Sequence, residues 1–288
     1  MTQLPIAVGV GLRGTHYRDF LADQAPAVPW LEAHSENYFG GGAALHTLMR
    51  IRERYPISLH GVGMGLASAD GLDADHLREL QQLVATVQPA AVSEHLSWNR
   101  SGGQVINDLL PFPYTAEALE LVARNVDQVQ QALGCAIAVE NLSSYVRFRQ
   151  AAMSEAEFLA ALVERTGCKI LLDVNNIYVN QVNLGIDARQ FMRTLPVGQV
   201  AEIHLAGFST LEDCLVDSHS QPVCAEVWLL YAEALQRFGA LPTLLEWDID
   251  IPPLTVLMQE ADKAQQILQQ ASAWQPMNRE QKEHGDVL

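Results

Sequence analysis

Eight side chains of metal-ligand type punctuate this sequence: His60, His95, Glu140, Asp173, His204, Asp217, His219 and Glu246. Six of them close a short apolar run. ISLH ends on His60, AVSEH on His95, AIAVE on Glu140, ILLD on Asp173, AEIH on His204 and TLLE on Glu246. Imidazole and carboxylate donors make a set that suits Zn, Mn or Fe rather than a thiolate-bound structural ion. One open catalytic ion uses about six donors, some of them water. Eight protein candidates exceed that, and carboxylates bridge, so at least two neighbouring ions sharing a carboxylate are expected. A lone His or Asp at a strand end is more often structural. Recurrence at matching ends of successive strands carries the metal reading, because a barrel rim gathers such ends in space. Asp217 and His219 stand apart in a loop, where a D-x-H pair could equally cap a turn.

The elements that must position these residues alternate. Strand-like runs fall at 6–10, 30–34, 57–61, 90–95, 136–140, 169–173, 200–205 and 243–247. Helical patterns fall at 43–54, 73–87, 115–132, 154–166, 187–194, 224–238 and 254–271. Asp73, Thr115 and Asp187 are placed to cap, and Ser154 with Glu157 forms a capping-box pattern. The connection over 14–25 is the weakest helix. About eight β/α units in roughly 250 residues predict an α/β fold, a closed (β/α)8 TIM barrel. The rival is a doubly wound sheet with GVGLRG as its nucleotide loop, but the first glycine lies inside the strand and no clear helix follows. A single domain is expected over 1–273, then a polar, flexible tail over 274–288. Long loops at 142–153 and 206–223 mark the functional rim.

Composition narrows the function. The 288 residues carry 34 acidic against 18 basic side chains, net charge −16, which disfavours nucleic acid and leaves a basic peptide compatible. Cys135, Cys168, Cys214 and Cys224 form no C-x-x-C pair, so neither a disulfide framework nor a cysteine-rich zinc site is expected. The N-terminus lacks a basic, signal-like start and no apolar run is long enough to span a membrane, so the expected location is the cytoplasm.

At its ligand-bearing segments the chain resembles the DUF692 (UPF0276) family of multinuclear non-heme iron-dependent oxidative enzymes. The matching segments are GVGLR, EAHSENYF, SLHGVGMGL, SEHLSW, LPFPYT, VENLSSY, LLDVNNIYVN, EIHLAGF, DSHSQPV and LEWD, spread over about residues 6–270. The resemblance implies a xylose-isomerase-like barrel holding two or three irons in mixed valence, with O2 as co-substrate. It assigns all eight residues as ligands and adds Asn176, where some relatives carry histidine. Asparagine is the weaker donor, so a third iron would be loosely held or absent. The implied substrate is a ribosomally made precursor peptide, modified at cysteine and often presented by a recognition partner protein. Glu140, Asp173 and His204 are the candidate catalytic residues, the two acids as shared or bridging ligands.

Rim residues beside the ligands are candidate substrate contacts. Glu36, Asn37 and Tyr38 follow the second strand, Ser97 and Trp98 the fourth, Asn141 follows Glu140, and Asp248 lies just past Glu246. Each is equally placed to pack or to support a ligand. Arg13 could meet a peptide carboxylate or pair with Glu32, and His34 is left outside the ligand set. Two other functions fit the same residues: a Zn- or Mn-dependent sugar isomerase or hydrolase, and a non-catalytic metal- or peptide-binding protein.

Overall fold

The computed structural model describes residues 3–283. In chain order the strands are β1 (Val8–Gly11), β2 (Leu31–His34), β3 (Ile57–Gly61), β4 (Ala91–His95), β5 (Trp98–Ser101), β6 (Gln104–Leu110), β7 (Ala138–Glu140), β8 (Lys169–Asp173), β9 (Val200–Leu205), β10 (Ser209–Leu211), β11 (Cys214–Val216) and β12 (Thr243–Leu245). The helices are α1 (Tyr17–Leu21), α2 (Gly42–Arg52), α3 (Ala74–Val87), α4 (Ala116–Leu133), α5 (Glu155–Thr166), α6 (Val174–Leu184), α7 (Ala188–Thr194), α8 (Ala225–Phe238) and α9 (Leu254–Glu283). Eight strands close a parallel barrel in the order β1-β12-β9-β8-β7-β4-β3-β2, the expected architecture. Helix α9 extends past the 254–271 segment read from periodicity. Of the tail expected over 274–288, residues 284–288 lie outside the described residues.

Register explains how strand ends become one site. His34 lies opposite His60, His95 opposite Glu140, and Asp173 opposite His204. Parallel strands deliver these positions to the same rim, and alternate residues share a face. Residues two positions earlier therefore point into the barrel one layer deeper. Glu32 and Glu202 occupy that deeper layer, both fully buried.

The helices start where the caps indicated. Asp73, Thr115 and Asp187 each accept a backbone N–H of the first turn, and the Ser154–Glu157 capping box is formed. Helix α6 was not among the expected helices. Two hairpins also interrupt the β/α alternation at the rim, β5–β6 after β4 and β10–β11 after β9. The first is the more exposed, with Val105 58% and Ile106 41% accessible. It walls a cavity of 530 Å³ together with Glu36, Gly63 and His76.

Gly207, just after β9, lets two loops touch. A Cβ there would collide with the backbone carbonyl oxygens of Gln221 and Pro222. These carbonyls lie two and three residues after His219, so their retreat would move its loop. Gly207→Ala is expected to lower stability by about 1–3 kcal/mol in urea unfolding and to weaken metal retention. Unchanged values for both would count against this contact.

Candidate metal centre

Glu140 lies at the middle of the rim cluster. Its Oε2 is 3.2 Å from His60 Nε2 and 3.3 Å from His95 Nε2. Its Oε1 is 3.9 Å from His204 Nδ1, which in turn is 3.1 Å from Glu246 Oε2. His60, His95 and Glu140 form one group with ligand atoms within 4.8 Å of one another; Glu140, Asp173 and His204 form another, sharing Glu140. The ring nitrogens turned away from Glu140 are engaged. His60 Nδ1 is 2.7 Å from Ser93 Oγ, and His95 Nδ1 donates to the Gly61 carbonyl at 3.0 Å. Such partners fix tautomer and ring orientation.

The loop pair joins this cluster. His219 Nε2 is 2.7 Å from Asp217 Oδ1 and 3.9 Å from Asp173 Oδ2, so the D-x-H segment faces the strand ligands. His219 has φ +45°, a left-handed conformation uncommon outside glycine. The Asp248 N–H holds it there by donating to the His219 carbonyl at 2.8 Å. Helix α6 secures Asp217 and its hairpin. Asn175 donates to Asp217 Oδ1 at 2.9 Å, and Asn183 clamps both backbone groups of Leu215. Tyr145 Oη accepts the Asp217 N–H at 3.0 Å.

Several inward oxygens make no aligned hydrogen bond: Glu140 Oε2, Asp173 Oδ2 and Asn176 Oδ1. Buried polar atoms are rarely left so, and each such atom needs an explanation. Cations held among N and O donors satisfy them together, so the residues fit a multinuclear N/O metal site. The Asn176 amide nitrogen donates to the Asn141 carbonyl at 3.1 Å, which leaves the free oxygen as its possible donor to a cation.

Charge follows burial. Burial drives the Glu140 carboxyl well above its usual range and pushes Asp173 up to about 7. Burial opposes a charge on His204 and His219, yet the carboxylates around them hold both well above the usual histidine value. Burial lowers His60 strongly and brings His95 down to about 4, so these two rings are neutral donors near pH 7. Entry of an ion must expel the protons on Asp173, Glu140, His204 and His219. The affinity for Mn(II) should therefore rise with pH through about 7, by about tenfold per unit for each proton displaced. Calorimetric titration from about pH 6 to 8 measures this, and a flat profile would contradict it.

The remaining candidates are distributed around this cluster. Arg13 pairs with Glu246 at 3.2 Å and with Asp248; of its two readings, a peptide carboxylate or a pair with Glu32, the second is replaced by these partners. Its Nη1 has no hydrogen-bond partner. Gly11 makes room for it, since a Cβ there would sit 2.9 Å from Arg13 Nη1. Asp248 also lies 3.2 Å from His219 Nδ1. Asn141 exchanges hydrogen bonds with both backbone groups of Asp173 and is fully buried, a scaffold position. Glu36 accepts the Val62 and Gly63 N–H groups. Tyr38 is buried with its hydroxyl 2.7 Å from that of Tyr17, and Asn37 is exposed. Trp98 donates to the Pro111 carbonyl at 2.9 Å, while buried Ser97 Oγ has no partner.

Three residues omitted from the ligand reading border the cluster. His34 Nε2 is 3.3 Å from Glu246 Oε1, and Glu32 Oε2 and Glu202 Oε1 are 3.3 and 3.6 Å from His204 Nε2. Glu32-x-His34 and Glu202-x-His204 carry the signal that would have found them, since the strand period of two puts each pair on one face.

A family model described as "RiPP precursor modification enzyme MbnB/TglH/ChrH" matches residues 7–269. A UPF0276 protein of Chromobacterium violaceum is 55% identical over 268 residues, covering 93% of this chain and 97% of that one. A UPF0276 protein of Acaryochloris marina is 50% identical over 260 residues, covering 90% and 94%. Among solved structures, D-psicose 3-epimerase in the presence of D-fructose aligns with TM-score 0.57 at 12% identity, covering 92% of this chain and 99% of that one. A xylose isomerase domain protein from Planctomyces limnophilus aligns with TM-score 0.58 at 14% identity, covering 93% and 97%. These structural likenesses establish the xylose-isomerase-like barrel and nothing about the reaction.

Proposed function

Because the chain belongs to the MbnB/TglH/ChrH family of RiPP precursor modification enzymes, we propose that it is a multinuclear non-heme iron, O2-dependent oxidase that modifies a ribosomally made precursor peptide at cysteine. The observation that carries this reading is Glu140, one carboxylate shared between the His60–His95 pair and the His204–Asp173 group. His60, His95 and Glu140 would hold one iron. Glu140, Asp173, His204 and Glu246 would hold a second. Asp173, Asn176, Asp217 and His219 would hold a third, more weakly because Asn176 offers only a neutral oxygen. No helix among the described residues is long and apolar enough to cross a membrane. We assign the work to the cytoplasm, where peptide thiols stay reduced.

Bound iron in mixed valence would supply the one-electron chemistry that O2 requires and a Lewis acid for the peptide thiolate. The chain's own residues set the conditions for it. Neutral His60 and His95 turn Nε2 toward Glu140; Ser93 holds the His60 ring in place, and the Gly61 carbonyl, which can only accept, keeps the His95 proton on Nδ1 and leaves its Nε2 lone pair free. Arg13 balances Glu246 and Asp248 at the edge of the cluster, with Nη1 buried and without a hydrogen-bond partner, and we keep it as a candidate contact for a peptide carboxylate. Glu36, Asn37, Ser97 and Trp98 remain our candidates for the approach of the peptide, which a recognition partner protein would present. Tyr38 and Asn141 act from behind, through packing and backbone hydrogen bonds.

The test incubates iron-loaded protein with a cysteine-containing precursor peptide, with and without air, and reads product mass and metal content. About two or more irons per chain and a mass change only with O2 are expected. Turnover without O2 on Zn(II) or Mn(II) would indicate isomerase or hydrolase chemistry. Binding of metal and peptide without any product would indicate a carrier.

A further inference from the structure

His204 is wired in the opposite sense to the other three candidate histidine ligands. His60 and His95 place Nδ1 against Ser93 and Gly61 and turn Nε2 to Glu140. His219 places Nδ1 near Asp248 and turns Nε2 to Asp217. His204 instead turns Nδ1 to Glu246 and Glu140, at 3.1 and 3.9 Å. Its Nε2 faces down the barrel, 3.3 Å from Glu32 Oε2 and 3.6 Å from Glu202 Oε1.

We propose that Glu32 and Glu202 are positioning residues that hold the proton of His204 on Nε2 and so present the Nδ1 lone pair to the ion between Glu140 and Glu246. A neutral imidazole carries its proton on one nitrogen and can ligate only through the other. A carboxyl group offers acceptor oxygen toward a ring N–H, so two acids facing Nε2 favour the Nε2–H form. Burying two acids beneath a metal site is unfavourable unless they act on a donor. His204 is the ring in reach: both Glu32 oxygens, Glu202 Oε1 and His204 Nε2 make no aligned hydrogen bond, and they face one another at 3.3 and 3.6 Å. Glu32 is 0% and Glu202 1% exposed, so both acids are shielded from bulk solvent. The same two acids keep the ring from turning over, because inversion would place a bare nitrogen against them.

This inference rests on the proposed metal centre, and Zn(II) separates the two because it needs neither iron nor O2. Protein carrying 15N-labelled histidine is loaded with Zn(II), and long-range 1H–15N spectra report which nitrogen of each ring is protonated. Wild-type His204 should show Nε2 protonated and Nδ1 ligated, with His60 and His95 the reverse. The Glu32→Leu/Glu202→Leu double variant should bind Zn(II) about 10–100-fold more weakly and lose the uniform His204 tautomer, with His60 and His95 signals unchanged. Glu202 borders a 420 Å³ cavity at the opposite barrel mouth, which gives the leucine room. Glu32→Gln/Glu202→Gln keeps shape and an acceptor oxygen, and should restore the tautomer and most of the affinity. Ligation of His204 through Nε2, or wild-type affinity and tautomer in the Leu variant, overturns the assignment. Failure of wild-type protein to bind Zn(II) would sink the metal centre itself.

Discussion

Glu140→Ala should leave a folded barrel with its metal depleted and its peptide-modifying activity reduced by more than about 100-fold, the upper end of what a supporting residue costs. The reason is that one carboxylate serves two groups. Oε2 faces His60 and His95, and Oε1 faces His204. Its removal subtracts a charge from both, and the two histidines that remain are neutral rings that cannot hold a divalent ion as tightly. Stability should move the other way. In ion-free protein burial raises the Glu140 pKa far above its ordinary value. A carboxyl raised in the folded state binds a proton that the unfolded chain has released, so it costs stability as pH rises above its unfolded value. Glu140→Gln removes that titration. Metal-stripped Glu140→Gln should therefore melt at or above wild type near pH 8, while metal content drops. Plasma emission analysis and thermal scans in EDTA read the two effects separately. Full metal content in Glu140→Ala would end the shared-ligand assignment.

The second large effect splits one side chain into two roles. Asp173 Oδ1 accepts the Asn176 N–H at 2.6 Å and caps α6, while Oδ2 points into the cluster without a hydrogen bond. Asp173→Ala should lose both functions: about 1 kcal/mol of stability from the cap, and metal loading with activity. Asp173→Asn should keep the cap, because an amide oxygen accepts the same N–H, and still lose activity by more than about 100-fold because the charge on Oδ2 is gone. Urea unfolding of stripped protein paired with metal analysis distinguishes them. Equal stability of the two variants would remove the capping role; normal turnover in Asp173→Asn would remove the ligand role.

The barrel was legible because its strands are short β-branched runs that end on a polar side chain, and most of its helices begin at recognisable caps. Helix α6 was not legible because Val174–Leu184 contains Asn175, Asn176, Asn180 and Asn183, poor helix formers in an interior. Each reaches out of the helix instead: Asn175 to Asp217, Asn176 to Asn141, Asn180 to Leu142 and Ser144, Asn183 to Leu215. The residues that hide the helix are those that fasten the ligand-bearing loops. Glu32, read only as a partner for Arg13, and Glu202 stayed outside the site because an isolated Glu ordinarily reads as surface, and only closure of the barrel buries them. His34 was set aside on a loose strand boundary, and its register opposite His60 brings it to the rim. The two hairpins carry long-range consequences but only local sequence signals, chiefly the Gly102–Gly103 turn, where both residues have positive φ.

The hairpin formed by Trp98–Ser101 and Gln104–Leu110 takes no part in the ladder that closes the barrel. Its first strand is fastened by Asn99 to Gly63 and Ser68 and by Arg100 to Asp73, but the outward side chains of β6 can drift over generations without breaking a barrel strand pair. A lineage could thus refit this appendage to greet a different incoming polypeptide while inheriting the same reaction core. The β10–β11 hairpin has no such licence, because it leads straight into Asp217 and is tied down by Asn183. Divergence among descendants of this ancestor should accumulate on the first appendage and stall at the second.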